Sequence, residues 1–129
     1  MEYLLRDELV ALGAQAHEVL AGVRFEGGLE HAYRACLYSR FASRVLLPLA
    51  EFDAADADAL YAGAHAVDWA QHFASESTLA IDATVSQSVI THSRYAMLRI
   101  KDAIVDQCRE RSGVRPDIAI ERPDIRLNL

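Results

Sequence analysis

The chain lacks the residues and patterns that mark several common protein classes. Its two cysteines, Cys36 and Cys108, lie 72 positions apart, which is too few for a disulfide framework or a structural zinc site and suits a reducing cytoplasm. No stretch approaches the roughly eighteen uncharged apolar residues of a transmembrane helix. The first residues, MEYLLRDEL, carry acids where a signal peptide has basic residues. We therefore expect a globular cytoplasmic protein that neither spans a membrane nor is secreted.

Motifs of cofactor binding and catalysis are also missing. The six glycines are scattered apart from Gly27-Gly28, so no dinucleotide or phosphate loop is present, and no nucleophile elbow occurs. His65, Asp68 and His72 could share a helix face and so mimic half of a metal site. A zinc site needs three or four ligands with supporting residues around them, and no further cluster is visible, so solvent-facing polar side chains are the simpler interpretation. We expect no catalytic residue, no bound cofactor and no metal in this chain.

Charge is distributed unevenly along the sequence. The net charge is −6, yet residues 1–76 hold five basic against twelve acidic side chains, a net of −7. Residues 77–129 hold eight basic against seven acidic side chains, and residues 90–115 hold six against three, a local +3. An acidic body with one basic face is compatible with a nucleic-acid-binding module.

The first half of the chain predicts an incomplete α+β unit. Apolar residues at helical spacing predict a helix at 2–12 and another from residue 29. Two short β-like runs separated by Ala21-Gly22 predict a hairpin with strands at 17–20 and 23–26. A further strand is predicted at 44–52, at a sheet edge because it contains Pro48. This α-β-β-α-β order becomes the ferredoxin-like β-α-β-β-α-β unit when one strand is added in front. We expect that the first, central strand has been lost from the chain.

The second half begins with an acidic joint at 53–58, where Asp56 or Asp58 would cap a helix. Helical structure is expected to about residue 73. Alternating apolar residues then predict a strand, the next periodic stretch a long helix, and the chain end another strand, at 77–85, 92–111 and 124–129. We expect the partner of the last strand to be absent. The repeated Arg-Pro-Asp-Ile at 115–118 and 122–125 is interpreted as two turns that each begin a short strand.

Two cations occupy unexpected positions on the long helix. On a helical wheel, Arg94 and Lys101 fall inside the apolar arc, seven residues apart, rather than on the polar face. Such side chains snorkel to solvent, form a salt bridge, or contact an anionic ligand such as a phosphate. The spacing by itself leaves these alternatives open.

Several segments, in order, carry a resemblance to a known family. They are LEHAYRACLYSRFASRVLLPLAEF (29–52), DALYAGAHAVDW (58–69), HSRYAMLRIKDAIVDQCR (92–109) and RPDIRLNL (122–129). Together they resemble the N-terminal part of the bacterial 23S ribosomal RNA guanine-N2 methyltransferases, which consists of a ferredoxin-like domain and a THUMP domain. The most specific parts are SRFASRVLLP (39–48) and the Tyr-x-x-x-x-x-Lys-Asp-Ala-Ile-Val-Asp segment (95–106).

The resemblance implies a fold and a function. It implies an α+β chain with a ferredoxin-like unit at 1–54, its first strand missing, and a THUMP domain at 55–129, its C-terminal part missing. It implies an RNA-binding module that presents structured 23S ribosomal RNA, and not DNA, to a catalytic domain beyond this chain. That absent domain would bind S-adenosylmethionine and perform the methyl transfer, so this chain would itself be non-catalytic.

The predicted RNA contacts are the basic side chains of the long helix and the residues after it. The first group, in or beside the family's Tyr-containing helix segment, consists of Arg94, Arg99 and Lys101. The second group, at and after the helix C-terminus, where cations also complement the helix dipole, consists of Arg109, Arg111 and Arg115. Two other functions stay open, a protein-docking module without RNA contact and a stand-alone enzyme such as an acylphosphatase. Exposed sheet edges also lead us to expect self-association.

Overall fold

The chain folds into two compact units that each combine helices with a small sheet. The computed structural model describes residues 1–85, 88 and 90–129. The units are Met1–Leu49 and Ala50–Leu129. The domain limit that the sequence predicts after residue 54 stays a prediction, whereas the packing of the chain divides after Leu49.

The first unit consists of two helices and one hairpin. Its elements are α1 (Glu2–Ala11), β1 (Gln15–Val19), β2 (Gly22–Glu26) and α2 (Leu29–Tyr38). Strands β1 and β2 pair antiparallel, from Gln15 opposite Glu26 to Val19 opposite Gly22. The small core consists of Leu9, Ala14 and Ala35, with partly buried neighbours that include Phe25 and Val45. The predicted helices and hairpin are therefore present, within two residues of the predicted bounds.

A carboxylate on α1 anchors the chain where α2 ends. Glu8 accepts hydrogen bonds from the Ser39 hydroxyl at 2.5 Å and from the backbone N–H groups of Arg40 at 2.8 Å and Phe41 at 3.4 Å. These donors favour the ionised carboxylate, and the Ser39 hydroxyl is the main reason that the pKa of Glu8 lies below its usual value of 4.5. Glu8 thus connects α1 to the segment after α2.

We expect Glu8→Gln to loosen this connection at neutral pH and to have less effect in acid. A depressed carboxyl pKa contributes stability that is present above pH 4.5 and is lost as the pH falls through the lowered value. Amide hydrogen exchange at Arg40 measures the effect, with Glu26→Gln as the control because Glu26 is exposed on β2. Equal exchange rates at Arg40 in the parent and Glu8→Gln at neutral pH would contradict this role.

The predicted edge strand at 44–52 is wrong. The described residues 40–54 form neither helix nor strand. A strand requires a neighbour for its ladder of hydrogen bonds, and the strands of this unit, β1 and β2, pair with each other instead. Beside residues 41–48 lies an open hollow of about 960 Å³, lined also by α1, β2 and α2. The strand prediction rests on the composition of this segment alone, and no strand of the first unit pairs with it.

The second unit is built around one long helix. Its elements are α3 (Ala57–His65), a 3-10 turn (Trp69–Gln71), β3 (Leu79–Asp82), α4 (Ser93–Ser112) and β4 (Ile125–Asn128). Asp56 is the N-cap of α3 and accepts a hydrogen bond from the Ala59 N–H at 2.7 Å. Gly113 ends α4 in the left-handed conformation, with φ of 70°. The long helix agrees with the prediction to within one residue at each end.

Strand β4 has a partner, contrary to the sequence-based expectation that its partner is missing. It pairs parallel to β3, from Leu79 opposite Ile125 to Asp82 opposite Asn128. The strand predicted at 77–85 is shorter than expected, and three of its four residues, Leu79, Ala80 and Ile81, are buried. The two strands are more than forty residues apart in the sequence. This separation leaves room for the long crossover that a parallel pair requires. The predicted loop at 86–91 lies partly outside the described residues.

The two Arg-Pro-Asp-Ile copies lie on either side of the start of β3. In the first copy, the Asp117 carbonyl accepts from the Leu79 N–H at 2.9 Å, and Ile118 forms a parallel bridge with Leu79. In the second copy, Ile125 begins β4, which pairs with the other edge of β3. Each turn therefore begins a short paired segment, as predicted.

The segment before α3 packs within the second unit. Phe52 lies directly against Gly63 of α3, where a Cβ atom would be 2.1 Å from Cδ2 of the Phe52 ring. Gly63 therefore permits a close approach of the aromatic ring to the helix. In the packing of the chain, Phe52 thus lies in the second compact unit.

Candidate nucleic-acid interface

Helix α4 carries all but one of the predicted RNA-contacting residues, and its buried face determines where they lie. Its fully or nearly buried residues are Ala96, Ile100, Ala103, Ile104, Val105, Gln107 and Cys108. Helix α3 packs along α4, where the Tyr61 hydroxyl donates a hydrogen bond to Asp106 at 2.6 Å. This hydrogen bond, with burial as a further cause, raises the pKa of Tyr61 to about 12. The α3 side of α4 is thus occupied by intramolecular contacts.

Arg99 is held by contacts within the second unit. Its guanidinium carbon lies 4.6 Å from the centre of the Tyr61 ring. Its terminal nitrogens lie 3.7 Å from carboxylate oxygens of Asp58 and of Asp102. Cation–π and ionic contacts of this kind hold a side chain in place. Arg99 therefore joins α4 to α3, and its predicted RNA contact stays a prediction with a competing intramolecular role.

Arg111 is also paired. It donates a hydrogen bond to Asp68, and that donation is the main cause of the lowered pKa of Asp68. His65, in turn, lies 3.1 Å from Glu110 and stacks on Tyr61. Two members of the His65, Asp68 and His72 set thus have partners on α4. Within the described ranges, no group of three or more His, Cys, Asp or Glu side chains is placed to hold a metal ion.

Buried Gln107 fastens the 3-10 turn to α4. Its side-chain oxygen accepts from the Trp69 N–H at 3.1 Å, and its amide nitrogen donates to the carbonyls of His65 at 2.7 Å and Val67 at 2.5 Å. The indole N–H of Trp69 donates to the Ala64 carbonyl at 2.9 Å. Together these bonds satisfy the backbone where α3 ends and the turn begins.

The remaining predicted cations have no intramolecular partner among residues 1–85, 88 and 90–129. Arg94, Arg109 and Arg115 are exposed, and Lys101 is half-buried beside the apolar face of α4. Arg94 also lines a shallow cleft with Met97 and the end of β3. The intramolecular alternatives for Arg94 and Lys101 were snorkelling to solvent and a salt bridge. No acid among the described residues forms that salt bridge. These side chains are free to meet an anionic ligand.

Sequence reasoning missed one further cation of this kind. Arg122 is exposed, with φ of 51°, and forms no ion pair with the part of the chain that is described. The repeated Arg-Pro-Asp-Ile would have indicated it, because Arg122 occupies in the second copy the position that Arg115 occupies in the first. Arg126, by contrast, is paired with Asp82 at 2.8 Å.

No helix formed by the described residues combines the length and apolar character that crossing a bilayer requires. Within the described residues, the free cations of the second unit lie on α4 and on the turns that follow it.

Comparisons with known proteins divide the chain in a similar way. Residues 54–129 match the THUMP domain, and residues 1–46 match the RlmL ferredoxin-like domain. The ferredoxin-like and THUMP resemblance inferred from the sequence is confirmed by these two matches, as is the α+β class.

Longer proteins contain regions similar to the whole chain. The chain is 58% identical over 130 residues to the ribosomal RNA large subunit methyltransferase K/L of Syntrophotalea carbinolica, covering 100% of the chain and 18% of that protein. It is 50% identical over 128 residues to the protein of the same name from Aeromonas salmonicida, covering 98% of the chain and 18% of that protein. The chain thus spans less than a fifth of the length of these relatives.

A solved structure shares the fold. A predicted N6-adenine-specific DNA methylase from Listeria monocytogenes superposes with a TM-score of 0.85 at 24% sequence identity, covering 98% of the chain and 33% of that protein. At this identity the likeness concerns the fold alone. The family match over residues 54–129 covers more than half of the chain, so the chain belongs to the THUMP domain family.

Proposed function

We propose that this chain is the RNA-binding module of a large-subunit ribosomal RNA methyltransferase. The observation that carries the proposal is a set of cations on the THUMP unit that form no ion pair with the described residues: Arg94, Lys101, Arg109 and Arg115. Phosphate contacts dominate affinity for nucleic acids and are made by basic side chains of this kind. Structured RNA offers phosphates and shape more readily than base edges, which suits a small module with a few free cations.

The finer parts of the proposal rest on the relatives' names and on the sequence resemblance. The module would present 23S ribosomal RNA to a catalytic domain that uses S-adenosylmethionine to methylate guanine N2, in the cytoplasm. The relatives, of which this chain spans 18%, are long enough to contain such a domain. No residue of this chain is assigned to the methyl transfer. Self-association through the open sheet edges stays a second, separate proposal.

Salt dependence tests the proposal. We expect the Arg94→Ala/Lys101→Ala variant to bind a folded fragment of large-subunit ribosomal RNA more weakly than the parent. Each lost phosphate contact should reduce the slope of log affinity against log salt by about 0.7 to 0.9. A titration of the 129-residue chain at several salt concentrations measures both quantities.

The matched control removes two arginines from the first unit, Arg24→Ala/Arg40→Ala, both exposed. This control should leave the slope unchanged while altering net charge by the same amount. Equal slopes for all three proteins would overturn the assignment of Arg94 and Lys101. No binding of the RNA by the parent chain at any salt concentration would instead favour the docking module, which makes no RNA contact.

A further inference from the structure

Four neighbouring side chains of α4, of which three are exposed and Lys101 is half-buried, form what we term the Leu98 patch: Arg94, Tyr95, Leu98 and Lys101. Residues three and four apart on a helix are surface neighbours, roughly 5–6 Å between Cβ atoms. Leu98 therefore lies beside Arg94 and Tyr95 on one turn and beside Lys101 on the next. The patch combines an aromatic ring, an aliphatic side chain and two cations within a small area.

The apolar half of the patch is partly exposed. Tyr95 is 51% exposed and Leu98 is 38% exposed. Within the described residues, the Tyr95 ring makes no ring contact and its hydroxyl makes no hydrogen bond, whereas Tyr61 on α3 is engaged in both ways. Tyr95 also begins the segment 95–106, which is one of the most specific parts of the family resemblance. No hydrogen bond or ring contact with a described residue therefore accounts for this aromatic side chain at the surface.

The charged half of the patch is unneutralised. Arg94 and Lys101 have no ion-pair partner among residues 1–85, 88 and 90–129. The nearest acid along the helix, Asp102, lies four residues after Leu98 and is 3.7 Å from a guanidinium nitrogen of Arg99. The patch therefore keeps a net positive charge beside an exposed ring.

We propose that the Leu98 patch binds one unpaired nucleotide of the RNA, with the base stacked on Tyr95 and against Leu98 and the adjoining phosphates held by Arg94 and Lys101. This inference rests on the proposed RNA-binding function and adds a base contact to it. An aromatic platform beside basic groups is the arrangement by which proteins hold single-stranded segments, and the stack tolerates any base.

The test uses two RNAs that share one stem, one closed by an unpaired loop and the other a blunt-ended duplex. For Tyr95→Ala we expect a roughly 5- to 100-fold loss of affinity for the loop RNA. We expect an unchanged affinity for the duplex and an unchanged salt slope, because no cation is removed. Tyr95→Phe keeps the ring and should bind like the parent. Tyr38→Ala is the control, since Tyr38 is 64% exposed on α2 of the first unit.

The outcomes distinguish a failure of the nucleotide site from a failure of the proposed RNA-binding function. If Tyr95→Ala binds the loop RNA as tightly as the parent, or weakens both RNAs equally, the nucleotide site is overturned while RNA binding stands. If the parent chain binds neither RNA, the proposed function itself fails. Circular dichroism of Tyr95→Ala should match that of the parent, because an exposed helix position tolerates alanine.

Discussion

Replacing Ile104 with alanine is expected to lower the free energy of unfolding of the second unit by about 2–5 kcal/mol. Ile104 has no exposed surface and lies on the face of α4 that also buries Ile100 and Ala103. Truncation removes buried methyl groups and leaves a cavity that the surrounding helix and strands fill only in part. Denaturation followed by Trp69 fluorescence measures this loss, since Trp69 is the single tryptophan and is buried in the same unit.

Ile120→Ala provides the matched control for that experiment. Ile120 is 81% exposed in the same unit, so the same truncation there should change the free energy of unfolding by less than about 0.5 kcal/mol. If the two variants unfold at the same denaturant concentration, α4 does not form the core of the second unit as described.

The second large effect is expected for Gln107→Leu, which we predict to cost about 2–4 kcal/mol. Leucine keeps most of the buried volume but removes the acceptor for the Trp69 N–H and the donor for the carbonyls of His65 and Val67. A buried polar group that loses its partner carries the full cost of its desolvation. The Trp69 emission should also shift as the 3-10 turn loosens.

Gln71→Leu controls for the change of side chain. Gln71 is exposed and donates one hydrogen bond to Asp68 at 2.9 Å, so its replacement should have little effect on the unfolding transition. A Gln107→Leu protein as stable as Gln71→Leu would show that the three bonds of Gln107 do not hold the turn to α4.

The helices and the hairpin could be predicted because their signals are local. Apolar residues at helical spacing marked α1 and α4, and Ala21-Gly22 marked the hairpin turn between β1 and β2. The N-cap of α3 was narrowed to two acids, of which Asp56 is the one that accepts the hydrogen bond. Each of these features depends on interactions within a few residues, which a single sequence displays directly.

Strand pairing could not be predicted in the same way. Residues 44–52 have the composition of a strand but no strand beside them to pair with. Residues 124–129 are predicted to lack a partner strand, yet β4 within them pairs in parallel with β3. Both errors arise because a strand is stable only together with its neighbour, which lies far away in the sequence. The two Arg-Pro-Asp-Ile copies were read correctly as turns, but their positions on opposite sides of β3 follow from the tertiary fold.

The candidate interface divides along the same line. The basic character of residues 90–115, the helix that carries most of it, and the positions of Arg94 and Lys101 inside its apolar arc follow from the order of the amino acids. Which cations already have intramolecular partners depends on packing, since Arg99 contacts Asp58 and Tyr61 of α3, and Arg111 pairs with Asp68. A helical wheel describes one helix, whereas an ion pair between segments about forty residues apart depends on how the helices pack.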